Sequence, residues 1–264
     1  MMIPAEISKR HIVSLAATFA AIYGTLKLVP IFAVIGGSGR VFSTTEFIAP
    51  LLGIMLGPYV GSLVAVVGTF LGIMFTGRMN FFGLDFLPGM TNALVVGFLM
   101  RRRPLLSALI YSGLLVLFFF HPSTLHFVSF PFLSGGIQIP FVWLHIIAWI
   151  FLVSPLSRRS VESILEGTGS KAIGAACLLA LIGTTTQQLT GTLLFATMAV
   201  PLMGLAPQTL EATWVTVFYV YPIERLIIIL PAATAVTVAI VKALKAAGLF
   251  HGAGNMPSRG LPPR

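Results

Sequence analysis

The chain alternates long apolar runs with short polar connections from near its start to about residue 246. A helix crosses a bilayer with about 20 apolar residues, in a range of about 17–25. By that measure the sequence predicts eight membrane helices, of which the second and the fourth are short. They cover residues 12–30, 44–57, 59–76, 86–101, 104–120, 137–155, 171–193 and 222–246.

The composition favours a membrane protein. Hydrophobic residues make up 57% of the 264 residues and charged residues 9%, with a mean hydropathy of +0.99. Because a soluble domain averages about 25% charged residues, we expect one all-α, polytopic transmembrane bundle over residues 1–247. The tail over residues 248–264 contains glycine and proline but little apolar sequence, so we expect it to be disordered in the cytoplasm.

The positions of the cations predict the orientation of the chain. The net charge is +9, but the cations cluster between apolar runs and form no basic stripe with aromatic residues, which argues against nucleic acid as a partner. With eight spans and both termini in the cytoplasm, most cations lie inside, as the positive-inside rule requires. Reading residues 44–76 as one kinked span would instead place residues 101–103, all arginine, outside. The outer side keeps Lys27, Arg40, Arg78 and, near the end of the last span, Arg225.

Small residues lie on one face of the first predicted span. Ala16 and Ala20 are four residues apart, and so are Ala17 and Ala21. In lipid, this spacing lets another helix backbone approach closely. The contact is either internal packing or docking of a partner, whereas the glycines with the same spacing over residues 53–72 are interpreted as internal packing.

The order of features over residues 11–103 resembles the substrate-binding S component of energy-coupling-factor (ECF) vitamin transporters. The features are the alanine-paired first helix, the polar loop GGSGRVFSTTE, a short helix that continues into GPYVGSLVAVVGTFLG, and the closing PGMTNALVVGFLMRRR. The second half matches in hydropathy alone, and the family usually has six helices where eight are predicted here.

The resemblance implies a subunit that captures a vitamin-like micronutrient at the outer face of the cytoplasmic membrane. Import would then need a transmembrane coupling subunit and two ATPase subunits, since this chain has no GxxxxGK[ST] phosphate-binding loop. The resemblance also implies that Ala16, Ala17, Ala20 and Ala21 contact the coupling subunit. The loop over residues 36–46 would cover the bound solute.

Polar residues in the predicted outer half are candidates for the solute site. Arg40 in the first loop could bind a carboxylate or phosphate through paired hydrogen bonds, and Glu46 begins the second helix. Ser43 with Glu46 also fits a capping box, and that alternative stays open. Thr184, Gln187 and Gln188 belong to the densest polar run in any span, and they could bind a heterocyclic ring or join helices.

Glu224 and Arg225 follow Pro222, a sequence that suits the first turn of a helix. Alternatively, they converge with the loop over residues 80–85 on an outer pocket. The aromatic residues just before them could stack on a flat ligand or form an interfacial belt. These residues are Trp214, Tyr219 and Tyr221.

Metal binding and catalysis find little support in the sequence. His121, His126 and His145 lie near predicted outer ends, but they lack i, i+4 spacing and accompanying cysteine or carboxylate ligands. We therefore expect no metal, no cofactor and no enzymatic activity. The alternatives are a structural or accessory subunit of another membrane complex and a self-contained secondary transporter, although neither an inverted repeat nor a buried acidic chain is evident.

Overall fold

The structure, a computed structural model, describes residues 9–33, 41–130, 137–166 and 169–246. Most of these residues are helical, in agreement with the predicted all-α class. The helices are α1 (Lys9–Leu26), α2 (Thr45–Thr76), α3 (Phe86–Met100), α4 (Pro104–Phe120), α5 (Trp143–Val153), α6 (Pro155–Glu166), α7 (Gly169–Ala199), α8 (Pro207–Ile223) and α9 (Leu230–Ala246).

Two short antiparallel ribbons, which the sequence analysis did not predict, join some of these helices. Strand β1 (Pro30–Ala33) pairs with β2 (Val41–Ser43), and β3 (Phe127–Phe130) pairs with β4 (Ile137–Pro140). The ribbons replace the ends of two predicted spans. The first helix ends at Leu26 rather than at residue 30, and the predicted span over residues 137–155 becomes helical only at Trp143.

Helix α2 consists of two arms joined by a sharp reversal at Gly57. Gly57 has φ 76° and ψ −176°, a conformation that residues with a side chain avoid. A Cβ atom placed on Gly61 would lie 2.6 Å from the carbonyl oxygen of Leu52. In a straight helix, residues nine apart are separated by about 13 Å. The arms over residues 45–56 and 58–76 therefore run antiparallel, as the Gly57-Pro58 pair predicts.

Glycines let the first helices approach backbone to backbone. A Cβ atom on Gly68 would lie 2.9 Å from the carbonyl oxygen of Ala20 in α1, and one on Gly53 would lie 2.7 Å from that of Ala93 in α3. Small residues permit such contacts between membrane helices. The spaced glycines therefore pack the bundle internally, as their spacing predicts.

Hydrogen bonds between helices fix the middle of the chain. The Ser107 hydroxyl of α4 donates to the backbone carbonyl of Val95 in α3 at 2.7 Å, and the Tyr111 hydroxyl donates to Thr185 Oγ1 of α7 at 3.0 Å. These donors are buried. Helix α4 is thereby held between α3 and α7.

The last helical unit is continuous from Pro207 to Ala246. Residues Glu224–Ile229 form a π-helical segment between α8 and α9. The prediction that a helix begins near Pro222 is wrong, because Pro222 lies inside α8. Insertions of π-helix are rare and occur frequently at functional sites.

The course of the helices gives the bundle two ends. The end that contains Lys27, Thr76 and Thr197 is termed the Lys27 end. The opposite end, where Arg101 lies beside the reversal in α2, is termed the Gly57 end.

Three helices are long and apolar enough to cross a membrane, namely Thr45–Thr76, Gly169–Ala199 and Pro207–Ala246. Shorter apolar helices cover Ile12–Leu26, Phe86–Met100, Pro104–Phe120 and Trp143–Val153. The architecture is thus consistent with the expected membrane protein, while the number of crossings stays a prediction. The predicted tail over residues 248–264 lies outside the described residues.

Candidate functional site

A cavity opens near the Lys27 end between α1, both arms of α2, α3, α7 and α8. The space between its lining atoms is about 920 Å³ when the open solvent at its mouth is included. Ligand sites for small molecules combine apolar walls with a few polar groups. The cavity has such a lining, and it lies where the sequence predicts a solute site.

A buried ion pair joins the start of α2 to the π-helical segment at this cavity. Arg225 Nη1 donates to Glu46 Oε2 at 2.7 Å, and the side chains are 1% and 8% exposed. The Arg225 guanidinium also donates to Gln188 Oε1 of α7. Its Nε atom has no hydrogen-bond partner in the described part of the chain.

Amide side chains extend this pair into the bundle. Gln187 Nε2 donates to Glu46 Oε1 at 2.7 Å, and Gln187 Oε1 accepts from Asn92 Nδ2 at 2.7 Å. The network therefore connects α2, α3, α7 and the π-helical segment, which are far apart in sequence. Hydrogen-bonded polar groups are the form in which charge is tolerated inside a bundle.

A second ion pair lies in the cavity wall, between the end of α1 and the start of α3. Lys27 Nζ is 4.0 Å from Asp85 Oδ1, and the Lys27 side chain keeps 14% of its surface exposed. The Asp85 carboxylate accepts the backbone N–H groups of Asn80 at 2.7 Å and Phe81 at 3.0 Å. Asp85 therefore orders the loop that forms this wall, with or without Lys27.

Some polar groups in the cavity wall have no partner among the described residues. Glu224 is half-buried and forms no ion pair within 4.0 Å in that part of the chain. The Gln188 amide nitrogen and the Thr192 hydroxyl form no hydrogen bond there either. Because Gln188 and Thr192 are four residues apart, they share one face of α7. These groups are available to a ligand.

Aromatic rings form much of the remaining wall. Trp214 Nε1 donates to the carbonyl oxygen of Ser123 at 2.8 Å, and the Tyr221 hydroxyl donates to that of Phe141 at 3.0 Å. These two rings are thereby fixed in orientation, with 3% and 1% of their surface exposed. Tyr23, Phe42, Phe81 and Phe195 also line the cavity.

Five of the seven predicted solute-site residues line this cavity, namely Glu46, Gln187, Gln188, Glu224 and Arg225. Thr184 does not, because it is fully buried and its hydroxyl contacts the carbonyl oxygen of Leu181 in its own helix at 3.4 Å. Arg40 lies outside the described residues. The predicted convergence with the loop over residues 80–85 is present, since Asn80, Phe81 and Asp85 line the same cavity.

The capping alternatives do not describe these residues. Thr44, not Ser43, precedes α2, and no side chain caps that helix end. The Ser43 hydroxyl is hydrogen-bonded to Thr45 Oγ1 at 2.7 Å, while Glu46 binds Arg225. Glu224 is the first residue of the π-helical segment, but it lies inside a continuous helical unit and so occupies no free helix start.

Sequence reasoning missed Asn92, the buried amide that ends the network. It stands in the apolar helix α3, and such a polar residue usually faces the bundle interior. That isolation was the signal available in the sequence. Lys27 was not predicted as a cavity residue either, because the first span was predicted to extend past it.

The predicted docking alanines divide between two environments. Ala17 and Ala21 are exposed, Ala16 is half-buried and Ala20 is buried. The Ala20 backbone packs on Gly68 of α2, so this residue belongs to an internal contact. Only the face that contains Ala17 and Ala21 remains open to a partner.

Comparison with known proteins adds no relative. No family model, no curated protein and no solved structure matches the chain.

Proposed function

We propose that the chain is a membrane-embedded solute-binding subunit, which captures a small, vitamin-like micronutrient for import by a separate ECF-type coupling module. The observation that carries this proposal is the cavity near the Lys27 end. Its polar side chains come from distant segments, and several of them have no partner within the described chain. A purely structural or accessory subunit would need no such arrangement.

The proposal places eight crossings in the cytoplasmic membrane, with both termini in the cytoplasm and the Lys27 end outside. Support comes from the described cations, which follow the positive-inside rule in this orientation. Those assigned to the cytoplasmic side are Lys9, Arg10, Arg101, Arg102, Arg103, Arg158, Arg159, Lys171, Lys242 and Lys245. Those assigned to the outer side are Lys27, Arg78 and, near the outer end of the last span, Arg225.

Cysteine labelling tests this orientation in a Cys177→Ala background. Met79 is 52% exposed in the loop before α3, and Glu162 is exposed on α6. A membrane-impermeant maleimide should label Met79→Cys in intact cells and Glu162→Cys only after permeabilisation. The reverse pattern would reject the proposed orientation.

Solute capture is tested by filling the cavity. Gly191 lines it, and a Cβ atom there would have ordinary contact with Phe81 at 3.8 Å. Gly191→Phe should therefore abolish co-purification of a small molecule, detected by mass spectrometry of the denatured protein. Gly174→Phe is the matched control, because Gly174 lies on the same helix with nothing within 4 Å. Equal recovery from both variants would contradict capture in this cavity.

Docking of the coupling subunit is proposed for the exposed alanine face of α1. Ala17→Trp and Ala21→Trp should abolish uptake in cells while the affinity for the co-purified solute stays unchanged, because bulky side chains prevent close helix contact. Leu109→Trp is the control, since Leu109 is 59% exposed on α4. Uptake that survives both alanine substitutions would remove this face from the proposal.

A secondary transporter is the second candidate, and the buried carboxylates favour it. Glu46 is 6% exposed, and Glu224 lies within the longest apolar helical unit. Ionisable residues inside membrane helices often belong to ion or proton paths. An uptake assay in proteoliposomes that contain only this chain distinguishes the two candidate functions. Solute accumulation driven by a proton gradient would support secondary transport, and its absence would support the coupled subunit.

A further inference from the structure

We propose that the solute is a planar, basic heterocycle that binds as a cation, with an amidine-type edge (a ring nitrogen beside an exocyclic amino group) held by Glu224. This inference rests on the proposed function and names the class of its ligand. Its basis is a cavity that combines fixed aromatic walls with a carboxylate and an amide donor that have no ion-pair or hydrogen-bond partner among the described residues.

Among the described residues that line the cavity, one carboxylate belongs to no ion pair. Five charged side chains among the described residues line the cavity, and two ion pairs use four of them, Lys27 with Asp85 and Arg225 with Glu46. Glu224 remains. A half-buried carboxylate is expensive to keep without a partner. A cationic ligand would neutralise it, whereas an anionic ligand would add a second unmatched charge.

Arg225 follows Glu224 in sequence and attracts its carboxylate, but no ion pair joins these two side chains. The Arg225 Nη1 atom binds Glu46, and its other terminal nitrogen binds Gln188. Arg225 is 1% exposed. Both terminal nitrogens are thus committed to the network, whereas Nε has no hydrogen-bond partner among the described residues.

The geometry of a carboxylate selects an edge with two donors. A protonated amidine presents two parallel N–H groups, and a carboxylate accepts both in the forked arrangement known from arginine. Gln188 Nε2, which has no partner in the described part, can donate to a further ring nitrogen or carbonyl oxygen of the same ligand. The Glu224 carboxylate would therefore accept hydrogen bonds from the ligand, and the Gln188 amide would donate one to it.

The aromatic wall favours a flat cation over an aliphatic one. The Tyr221 ring packs on Phe141 and His145, with centroid distances of 5.7 and 5.5 Å, so it stiffens the wall. Trp214 is held by its hydrogen bond to Ser123, so its ring position is set before the ligand arrives. Aromatic faces attract cations, and planar rings also stack on them. A flat, charged heterocycle can make both interactions with the lining rings Trp214, Phe81 and Phe195.

Isothermal titration of the purified full chain with three probes of one shape tests the inference. The probes are 2-aminoquinoline, 2-methylquinoline and quinoline-2-carboxylate. We expect 2-aminoquinoline to bind at least about tenfold more tightly than 2-methylquinoline. Hydrogen bonds to the Glu224 carboxylate contribute enough binding free energy for this difference in affinity. Quinoline-2-carboxylate should bind most weakly.

The variant Glu224→Gln should lower the affinity for 2-aminoquinoline about tenfold or more and change that for 2-methylquinoline by about twofold at most. Glu211→Gln is the matched control, since Glu211 is exposed on α8. Thermal stability without ligand, measured alongside, separates loss of binding from loss of folding. If Glu224→Gln does not fold, the order of affinities of the three probes for the unchanged chain still tests the inference.

Equal binding of 2-aminoquinoline and 2-methylquinoline, tighter binding of the carboxylate, or no binding of any probe would overturn the inference. These results would leave the proposed function standing if a non-basic solute co-purifies with the chain and is lost in Gly191→Phe. Failure of both experiments would remove the cavity as a solute site altogether.

Discussion

The two ion pairs of the cavity have the same chemistry but different surroundings. Arg225 and Glu46 are 2.7 Å apart and almost completely buried, and every oxygen of that carboxylate is hydrogen-bonded. Lys27 and Asp85 are 4.0 Å apart, and Lys27 keeps contact with the surface. The first pair is the centre of a network across four elements, whereas the second supplements a loop that backbone hydrogen bonds already hold.

This difference predicts what each pair contributes. Two charges taken out of water gain little net free energy from pairing, but removal of one partner leaves the other charge buried and uncompensated. At a surface, the same removal costs little because water replaces the partner. The fully buried pair should therefore be sensitive to single substitutions, whereas the Lys27–Asp85 pair, in which Lys27 keeps 14% of its side chain exposed, should tolerate loss of the lysine.

The largest expected effect follows from breaking the buried pair. Arg225→Leu should lower the free energy of unfolding by about 3–5 kcal/mol, because Glu46 stays buried without its cation. Equilibrium unfolding in mixed micelles measures this change. The double variant Arg225→Leu with Glu46→Leu should recover much of the loss, since it removes both charges. A double variant as unstable as the single one would contradict the network role of the pair.

A smaller effect is expected one step further along the network. Gln187→Leu should lower the free energy of unfolding by about 1–3 kcal/mol, because the buried Asn92 amide loses its partner. Thr184→Val is the matched control on the same helix, since its hydroxyl makes only a 3.4 Å contact with its own backbone. If both variants lose equal stability, the amide network adds nothing beyond packing.

The sequence alone allowed the main residues of the network to be predicted. Glu46, Gln187, Gln188 and Arg225 are polar residues within or beside apolar runs, and such residues face the interior of a membrane bundle. Because successive predicted spans cross the membrane in opposite directions, these residues were expected to lie at the same depth in the membrane. The reversal at Gly57 was also predictable, because glycine and proline together interrupt an apolar run.

The pairing of these residues was not predictable, since no local pattern states which distant helices become neighbours. The start of the last helix was misplaced because a proline inside a helix was taken as its first turn. In the structure, Pro222 is followed by a π-helical segment, and such adjustments can satisfy the backbone groups that a proline leaves free. The ribbons were missed because short apolar runs have the same appearance in strands and in helices.

The smallest effect is expected at the Lys27–Asp85 pair, in which only the lysine reaches the surface, and it sharpens the comparison. Lys27→Met should change the free energy of unfolding by at most about 1 kcal/mol, because the Asp85 carboxylate keeps the backbone N–H groups of Asn80 and Phe81. The small contribution of Lys27 should also shrink as salt is added, since partly exposed charges are screened. Unfolding of Lys27→Met and the unchanged chain at low and high salt measures both effects. A salt-independent loss as large as that of Arg225→Leu would show that Lys27 is held in the bundle like Arg225, and the contrast between the two pairs would fail.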